Sequence, residues 1–186
     1  MRLLRNLKNK DALKKQHNKG YKLRRIFPNS RNTNWAMASR GGNSMDGIKK
    51  EIEEIVKRET KAWDTQDVEL LMTIFHQDMV WPWPRTAQSH NPTEWVLEWG
   101  RYNYERWKNG WQELFDTHRL IHNKREIKKI VISEQADGAF AVVDIDTLWV
   151  DSKENENHWK GRVCKVYTKI GNEWKMIMHT GVLDYS

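Results

Sequence analysis

The chain has 186 residues and a formal charge of +7, which predicts one domain with or without an extension. Its single cysteine excludes an internal disulfide and any zinc cluster built on cysteines, and no apolar run is long enough to span a bilayer. Ten of its eleven tryptophans follow residue 60, so large flat side chains are expected to line the core or a cavity of a cytoplasmic protein.

Residues 1–45 are predicted to form a basic, disordered arm, and residues 46–186 the folded domain. Residues 1–44 carry a net charge of +11, whereas residues 45–186 carry −4. Three origins for the arm are open: a targeting peptide, a tether to nucleic acid or another acidic surface, or upstream sequence without a role before Met45. Because the positive charge belongs to the arm, nucleic-acid binding is not expected of the domain itself.

Helical periodicity comes first in the domain. Ser44 or Asp46 can cap a helix with an apolar stripe at three- and four-residue spacing, which includes Ile48, Ile52, Ile55, Val56, Glu59 and Trp63. Asp67 can cap a second, short helix. Residues 76–78 are predicted as a turn and residues 79–84 as an edge strand containing two prolines. A third helix is expected to begin near Asn91 or Thr93 and to present Trp95, Trp99, Tyr102 and Trp107.

Four strands are predicted to follow, over residues 118–133, 139–150, 158–170 and 173–185. They are rich in Val, Ile, Trp, Tyr and Thr, and Gly171-Asn172 suits a tight hairpin turn between the last two. Helices followed by antiparallel strands predict an α+β fold, a curved antiparallel sheet wrapped by three N-terminal helices.

The hairpins predict a register for the last three strands. If Ile170 faces Glu173, then Cys164 faces His179; if Val150 faces His158, then Asp146 faces Arg162. Side chains alternate between faces, so one face would collect the polar residues Asp144, Asp146, Arg162, Cys164 and His179. The opposite face would carry an apolar set, and we expect a homodimer through it: Ile145, Trp149, Val163, Tyr167 and Met178.

Several of these residues resemble the nuclear transport factor 2-like superfamily, most closely its SnoaL-like group. At the start of the domain, the residues that carry this resemblance are Trp63, Asp67, Leu70, Ile74, Phe75, Asp78 and Trp81. In the final hairpin they are residues 171–174 and 179–182. Arg162 and residues 179–181 also resemble the association domain of calcium/calmodulin-dependent kinase, although Ile177 stands where that domain has a second histidine. The resemblance implies a cone with a cavity at its wide end, and sheet-to-sheet dimers.

The candidate catalytic residues are Asp146, His179 and Asp144, each with a structural alternative. Asp144 is a general base or a solvated strand residue. Asp146 orients a ligand or acts as a base, or else forms a structural ion pair with Arg162. His179 is a proton shuttle or a core histidine. The candidate ligand-binding residues, each also explicable by packing or pairing, are Arg162, Trp81, Trp83, Tyr102, Trp99 and Cys164.

Two classes of function are compatible with this pattern. One is a cofactor-free isomerase, dehydratase or hydrolase that acts by general acid and base catalysis on a small, flat, apolar ligand. The other is a non-enzymatic binding or oligomerisation module with an aromatic cavity. No cofactor is expected, and no metal site is predicted because His76, His118 and His122 are scattered along the sequence.

Overall fold

The computed structural model describes residues 44–84 and 91–181. Almost all of the expected basic arm lies outside these ranges, as do the last residues of the predicted final strand, from 182 onwards. The arm and the domain boundary at residue 45 therefore stay predictions.

Among the residues that the structure describes, three α-helices precede the long strands. Helix α1 spans Met45–Asp64, α2 spans Val68–Met72 and α3 spans Tyr104–Thr117. The apolar stripe predicted for α1 is buried, as are three residues of α2 and three of α3. The helices therefore cover the sheet with one apolar side each, as the sequence pattern indicates.

The first two helices begin where their capping residues predict. Ser44 accepts a hydrogen bond from the amide of Gly47 at 3.2 Å, and Asp67 accepts one from the amide of Leu70 at 2.9 Å. These side chains bind amide groups that have no partner inside the helix, so each fixes the residue at which helical geometry starts.

The third helix begins later than the sequence suggested. Only a short 3-10 turn, Pro92–Glu94, forms at the predicted start. Gly100 then adopts a positive φ of 60°, and Asn103 caps α3 by accepting a hydrogen bond from the amide of Arg106 at 2.9 Å. Trp95, Trp99 and Tyr102 consequently lie in the segment before the helix, where their rings are not held at helical spacing.

In the described part of the chain, the strands are Phe75–Val80 (β1), His118–Ile132 (β2), Gly138–Asp151 (β3), Glu156–Ile170 (β4) and Glu173–His179 (β5). These five strands form one curved sheet in the order β1-β5-β4-β3-β2. Strand β1 pairs parallel with β5, and the other neighbours are antiparallel. Bulges within β2 and at the β4–β5 pairing break the register, and such bulges bend a sheet.

The edge strand lies earlier in the chain than the predicted one at residues 79–84. Residues 76–78, predicted as a turn, belong to β1, and the strand ends at Val80 before Pro82. Proline has no amide to donate to a sheet. The pairing of Phe75 with Met176 makes the contact between β1 and β5 parallel, which no local pattern indicated.

The β3–β4 register differs by two residues from the predicted one. Arg162 faces Asp144, whereas Asp146 faces Lys160. The polar connection is shorter than assumed, because Val150 pairs with Glu156 instead of His158. A shift of two residues leaves each side chain on its predicted face.

A bulge in β5 changes the face of His179. The predicted pairing of Ile170 with Glu173 is confirmed and continues to Tyr167 opposite Met176. Ile177 is then an extra residue, so Val166 pairs with Met178 and Lys165 pairs with His179. The prediction that Cys164 faces His179 is therefore wrong, and His179 lies on the face opposite to Arg162.

The face assigned to a homodimer is in fact the core face. Ile145, Trp149, Val163 and Tyr167 are 5% exposed or less. Trp149 stacks on Phe115 of α3, with ring centroids 5.8 Å apart, so the helices of the same chain cover this surface. The outer face carries the alternate residues of β3 and β4, including Asp144, Asp146 and Arg162, which are partly exposed.

Candidate ligand-binding site

A cavity of about 570 Å³ lies between the helices and the inner face of the sheet. Its wall is mainly aromatic, with an arginine and a histidine among the indole rings. Charged and polar residues from α3 and from the adjoining strands also line it. The lining includes Trp63, Trp81, Trp83, Trp99, Trp111, Trp159, Arg125, His179, Ile145, Glu98, Glu113, His118, Asn157 and His158.

The indoles pack edge to face around Trp63. The centroid of its ring lies 5.0 Å from that of Trp111 and 5.8 Å from that of Trp159, at interplanar angles of 86° and 83°. Aromatic rings favour this arrangement because the positive ring edge meets the negative face of its neighbour. Three elements, α1, α3 and β4, thereby hold one aromatic wall in place.

Two glycines allow the remaining tryptophans to reach the cavity. A Cβ atom on Gly110, within α3, would lie 2.9 Å from the indole of Trp99. A Cβ atom on Gly181 would lie 2.8 Å from the Cα atom of Trp83. Trp83 is also fixed by two backbone hydrogen bonds with Val96, of 3.2 and 2.9 Å.

His179 is wholly buried and stacks on Trp81, with ring centroids 3.9 Å apart and planes 18° from parallel. Burial lowers its pKa well below the usual value of 6.5, and the charges of Lys165 and Arg125 lower it further. The imidazole is therefore neutral near pH 7. Its Nδ1 atom is buried and has no hydrogen-bond partner among the described residues.

A buried ion pair lies behind the cavity wall. The ammonium group of Lys165 donates to both carboxylate oxygens of Glu59, at 2.7 and 2.8 Å, and both side chains are fully buried. Burial lowers the pKa of Lys165 to about 8, although Glu59 counteracts it. Despite its burial, Glu59 has a lowered pKa because Lys165 and Arg125 attract its negative charge.

Arg125 connects this pair to the cavity. Its side chain is 4% exposed, and its Nη1 atom lies 3.5 Å from Glu59 Oε1. Its Nε atom donates to Asn123 at 3.0 Å. Burial lowers the pKa of Arg125, while the carboxylates of Glu59 and Asp64 raise it, and a guanidinium stays charged in proteins. Two cations thus share one wholly buried carboxylate.

Asp144 and Asp146 lie on the outer face of the sheet. Arg162 donates to both oxygens of Asp144, at 2.7 and 3.0 Å, which lowers the pKa of that carboxyl. Asp146 Oδ1 contacts His158 Nε2 at 2.8 Å and His122 Nε2 at 2.7 Å. These hydrogen bonds lower the pKa of Asp146 to about 2, so it is ionised at neutral pH.

The sheet therefore separates the residues that sequence analysis had grouped. Trp81, Trp83, Trp99 and His179 line the cavity. Tyr102 does not, since it packs on Phe75 and Trp107 in the core. Cys164 pairs with the Thr180 backbone outside the cavity. The three other predicted site residues lie on the outer face: Asp144, Asp146 and Arg162.

Sequence reasoning missed Arg125, which lies in a predicted strand rich in lysine and arginine. The alternation of that strand gave a weak signal, because Ile127 and Arg125 are two residues apart and share a face. It also missed Lys165 and Glu59. Glu59 had been included in the apolar stripe of α1, where a carboxylate at a core position calls for a buried cation as partner.

Comparisons with known proteins relate this architecture to solved structures. No protein-family model matches the sequence, and no curated protein matches it significantly. A ketosteroid isomerase-like protein from Erwinia carotovora superposes with a TM-score of 0.54 at 14% identity, over 73% of this chain and 95% of the other. An NTF2-like protein from Cytophaga hutchinsonii superposes with a TM-score of 0.53 at 19% identity, over 71% of this chain and 94% of the other.

A putative calcium/calmodulin-dependent kinase II association domain from Exiguobacterium sibiricum gives a TM-score of 0.54 at 11% identity, over 78% of this chain and all of the other. Within the described ranges, no helix is both long and apolar enough to cross a membrane. Such low identities establish the fold and leave the activity open. The chain therefore has the nuclear transport factor 2-like fold, an α+β architecture with N-terminal helices packed on a curved five-stranded sheet.

Proposed function

We propose that this protein binds a small, flat, largely apolar molecule that carries a negatively charged group. The observation that carries the proposal is the 570 Å³ cavity lined by indole rings, with Arg125 and His179 in its wall. Its volume lies within the range of about 300–1,000 Å³ typical of small-molecule sites. Indole faces favour a flat ligand because they stack on other π systems.

The cavity lining is formally neutral, with Arg125 and Lys160 against Glu98 and Glu113, but the buried charges next to Arg125 favour an anion at that position. Glu59 is the wholly buried carboxylate at this site, and it is shared by Lys165 and Arg125. One formal positive charge of these three buried groups is then compensated from outside the group, by carboxylates such as Asp64. A ligand carboxylate at Arg125 would offset this charge, and a guanidinium binds a carboxylate through two parallel hydrogen bonds.

We further propose that the site catalyses a proton transfer and that His179 is the residue that accepts the proton. A neutral imidazole with a lowered pKa is a weak base in the empty cavity. A bound anion would add a negative charge nearby and raise that pKa. Asp144 and Asp146 are assigned no role in this step, because their side chains lie on the outer face of the sheet, away from His179.

A non-enzymatic assembly module is the second candidate. Phe140, Val131 and Ile170 are about half exposed, and Phe140 pairs with Val131 across β2 and β3. Exposed apolar side chains on one sheet face favour association. The homodimer expected from the sequence is therefore proposed to form through this outer face, with the cavity free to bind a ligand.

The proposed function is tested with two probes of equal shape, 2-naphthoate and the uncharged 2-naphthamide. We expect the wild type to bind the naphthoate at least about tenfold more tightly, which corresponds to about 1.4 kcal/mol. Arg125→Met should abolish this preference. Because Glu59 keeps Lys165 as partner, the variant leaves no unpaired buried carboxylate and is expected to fold.

Arg162→Met is the matched control, since it removes a guanidinium from the outer face and should keep the preference for the anion. Affinities are measured by calorimetry and by quenching of tryptophan fluorescence. If the wild type binds neither probe, or binds both equally, the proposal of an anionic flat ligand is wrong. If Arg162→Met loses the preference while Arg125→Met keeps it, the site is assigned to the wrong face.

A further inference from the structure

Two imidazole side chains from neighbouring strands converge on one carboxylate oxygen of the outer face. His122 of β2 and His158 of β4 both place their Nε2 atoms next to Asp146 Oδ1 of β3, at 2.7 and 2.8 Å. The three ligand atoms all lie within 4.8 Å of one another. The two imidazole rings are nearly perpendicular, with centroids 5.9 Å apart. Of the three residues only His158 also borders the cavity, and the proposed function assigns no role to the cluster.

We propose that His122, Asp146 and His158 bind a divalent transition-metal ion, for which Zn²⁺ is the best fit. Two imidazoles and one carboxylate are ligands that Zn²⁺ accepts, at about 2.0–2.2 Å each. Ligand atoms at that distance from one ion lie about 3.3–3.6 Å apart in tetrahedral geometry and about 2.8–3.1 Å apart in octahedral geometry. The contacts of Asp146 Oδ1 with the two nitrogens are close to the shorter of these separations, so small adjustments admit the ion.

The sheet positions the three residues. His122 and His158 each pair with Leu148, one on either side of β3, and Asp146 is two residues from Leu148 on the same face. Diagonal neighbours at this spacing can meet through long side chains. A site on three hydrogen-bonded strands is more rigid than one on loops. The side chains are 30–40% exposed, so water can supply the remaining ligands.

Positively charged neighbours lower the affinity of the cluster for a metal cation, but they do not fill its position. Lys124 and Lys160 pair with Asp146 from either side, and both are exposed. Their long side chains can extend into solvent, where their charges are screened. The nearest other carboxylate along β3, Asp144, is engaged by Arg162 and Lys128. The metal is therefore expected to have three protein ligands and open positions filled by water.

The test uses the full chain without an affinity tag, freed of metal by chelation and titrated with Zn²⁺ in a calorimeter. We expect one Zn²⁺ per chain at this site. His122→Gln and His158→Gln should each weaken binding by at least about 10–100-fold, the loss typical of removing even an outer-sphere partner. His76→Gln is the matched control, because it removes an imidazole beside another carboxylate, Asp78, at the far edge of the sheet.

A second measurement does not depend on variants. Co²⁺ bound to the wild type by two imidazoles should give d–d absorption distinct from that of aqueous Co²⁺, and Zn²⁺ should displace it. The proposal is overturned if the wild type shows no saturable binding with either ion. It is also overturned if binding survives both substitutions in the cluster or is lost equally in His76→Gln.

Discussion

The ammonium group of Lys165 on β4 is bound by both carboxylate oxygens of Glu59 on α1, a residue 106 positions earlier, and water reaches neither side chain. This contact links the first helix to the centre of the sheet. Arg125 adds a second cation to the same carboxylate. Behind the aromatic cavity, Glu59, Lys165 and Arg125 therefore form a buried group in which each charge needs the others as partners.

Glu59→Gln should be strongly destabilising. The substitution leaves Lys165 and Arg125 buried without their shared carboxylate, and breaking a buried pair in this way typically costs about 3–5 kcal/mol of unfolding free energy. Urea denaturation measures the loss. Lys57→Met, which removes an exposed partner of Glu54, is the control and should leave the denaturation midpoint unchanged. A loss below about 1 kcal/mol for Glu59→Gln would contradict the buried network.

Acid should destabilise the fold through His179. Its pKa is lowered in the folded protein, so below pH 6.5 the unfolded chain binds a proton that the folded chain does not. The stability contributed by the neutral imidazole is complete above pH 6.5 and is lost as the pH falls below that value. The slope for one group reaches about 1.4 kcal/mol per pH unit.

The measurement compares wild type with His179→Gln by urea denaturation from pH 7.5 to 5. The wild type should lose stability more steeply below pH 6.5, and the variant should lack this contribution. The window lies above 4.5, the ordinary pKa of Glu59, so that carboxyl does not confound the comparison. Parallel curves for the two proteins would contradict a buried neutral His179.

Gly110→Ala should affect ligand binding more than stability. Alanine is favoured over glycine inside a helix by about 1 kcal/mol, but its Cβ atom would come within 2.9 Å of the Trp99 indole. The ring must then move out of the cavity wall. We expect weaker binding of 2-naphthoate, with a melting temperature near that of the wild type. Gly171→Ala is a control in which a Cβ meets no atom within 4 Å but strains a turn with a φ of +61°, so it should lower stability alone.

Phe140→Glu tests association through the outer face. Phe140 is 50% exposed, so the substitution places a charge on that surface without opening the core. If the proposed homodimer forms there, sedimentation velocity should show a dimer for the wild type and a monomer for the variant. Lys57→Glu changes the charge of an exposed residue of α1, away from that face, and should sediment as the wild type does. A wild type that is monomeric at high concentration would remove the proposal.

The sequence alone determined the fold class and most of the elements. The caps at Ser44 and Asp67, the stripe along α1 and the hairpin turn at Gly171 were predicted, because these signals depend on residues close together in the chain. The resemblance to the nuclear transport factor 2-like fold is confirmed by the superposed structures. The aromatic wall was anticipated in part, since three of its tryptophans were named.

Tertiary structure decided which polar residues share a site. One extra residue at Ile177 places His179 inside the cavity, because a shift of one residue in a strand exchanges the two faces of the sheet. Because the β3–β4 register is shifted by two residues from the predicted one, Arg162 pairs with Asp144, and Asp146 contacts two histidines. Bulges and hairpin lengths are set by how the curved sheet packs on its helices, and no local pattern encodes that packing.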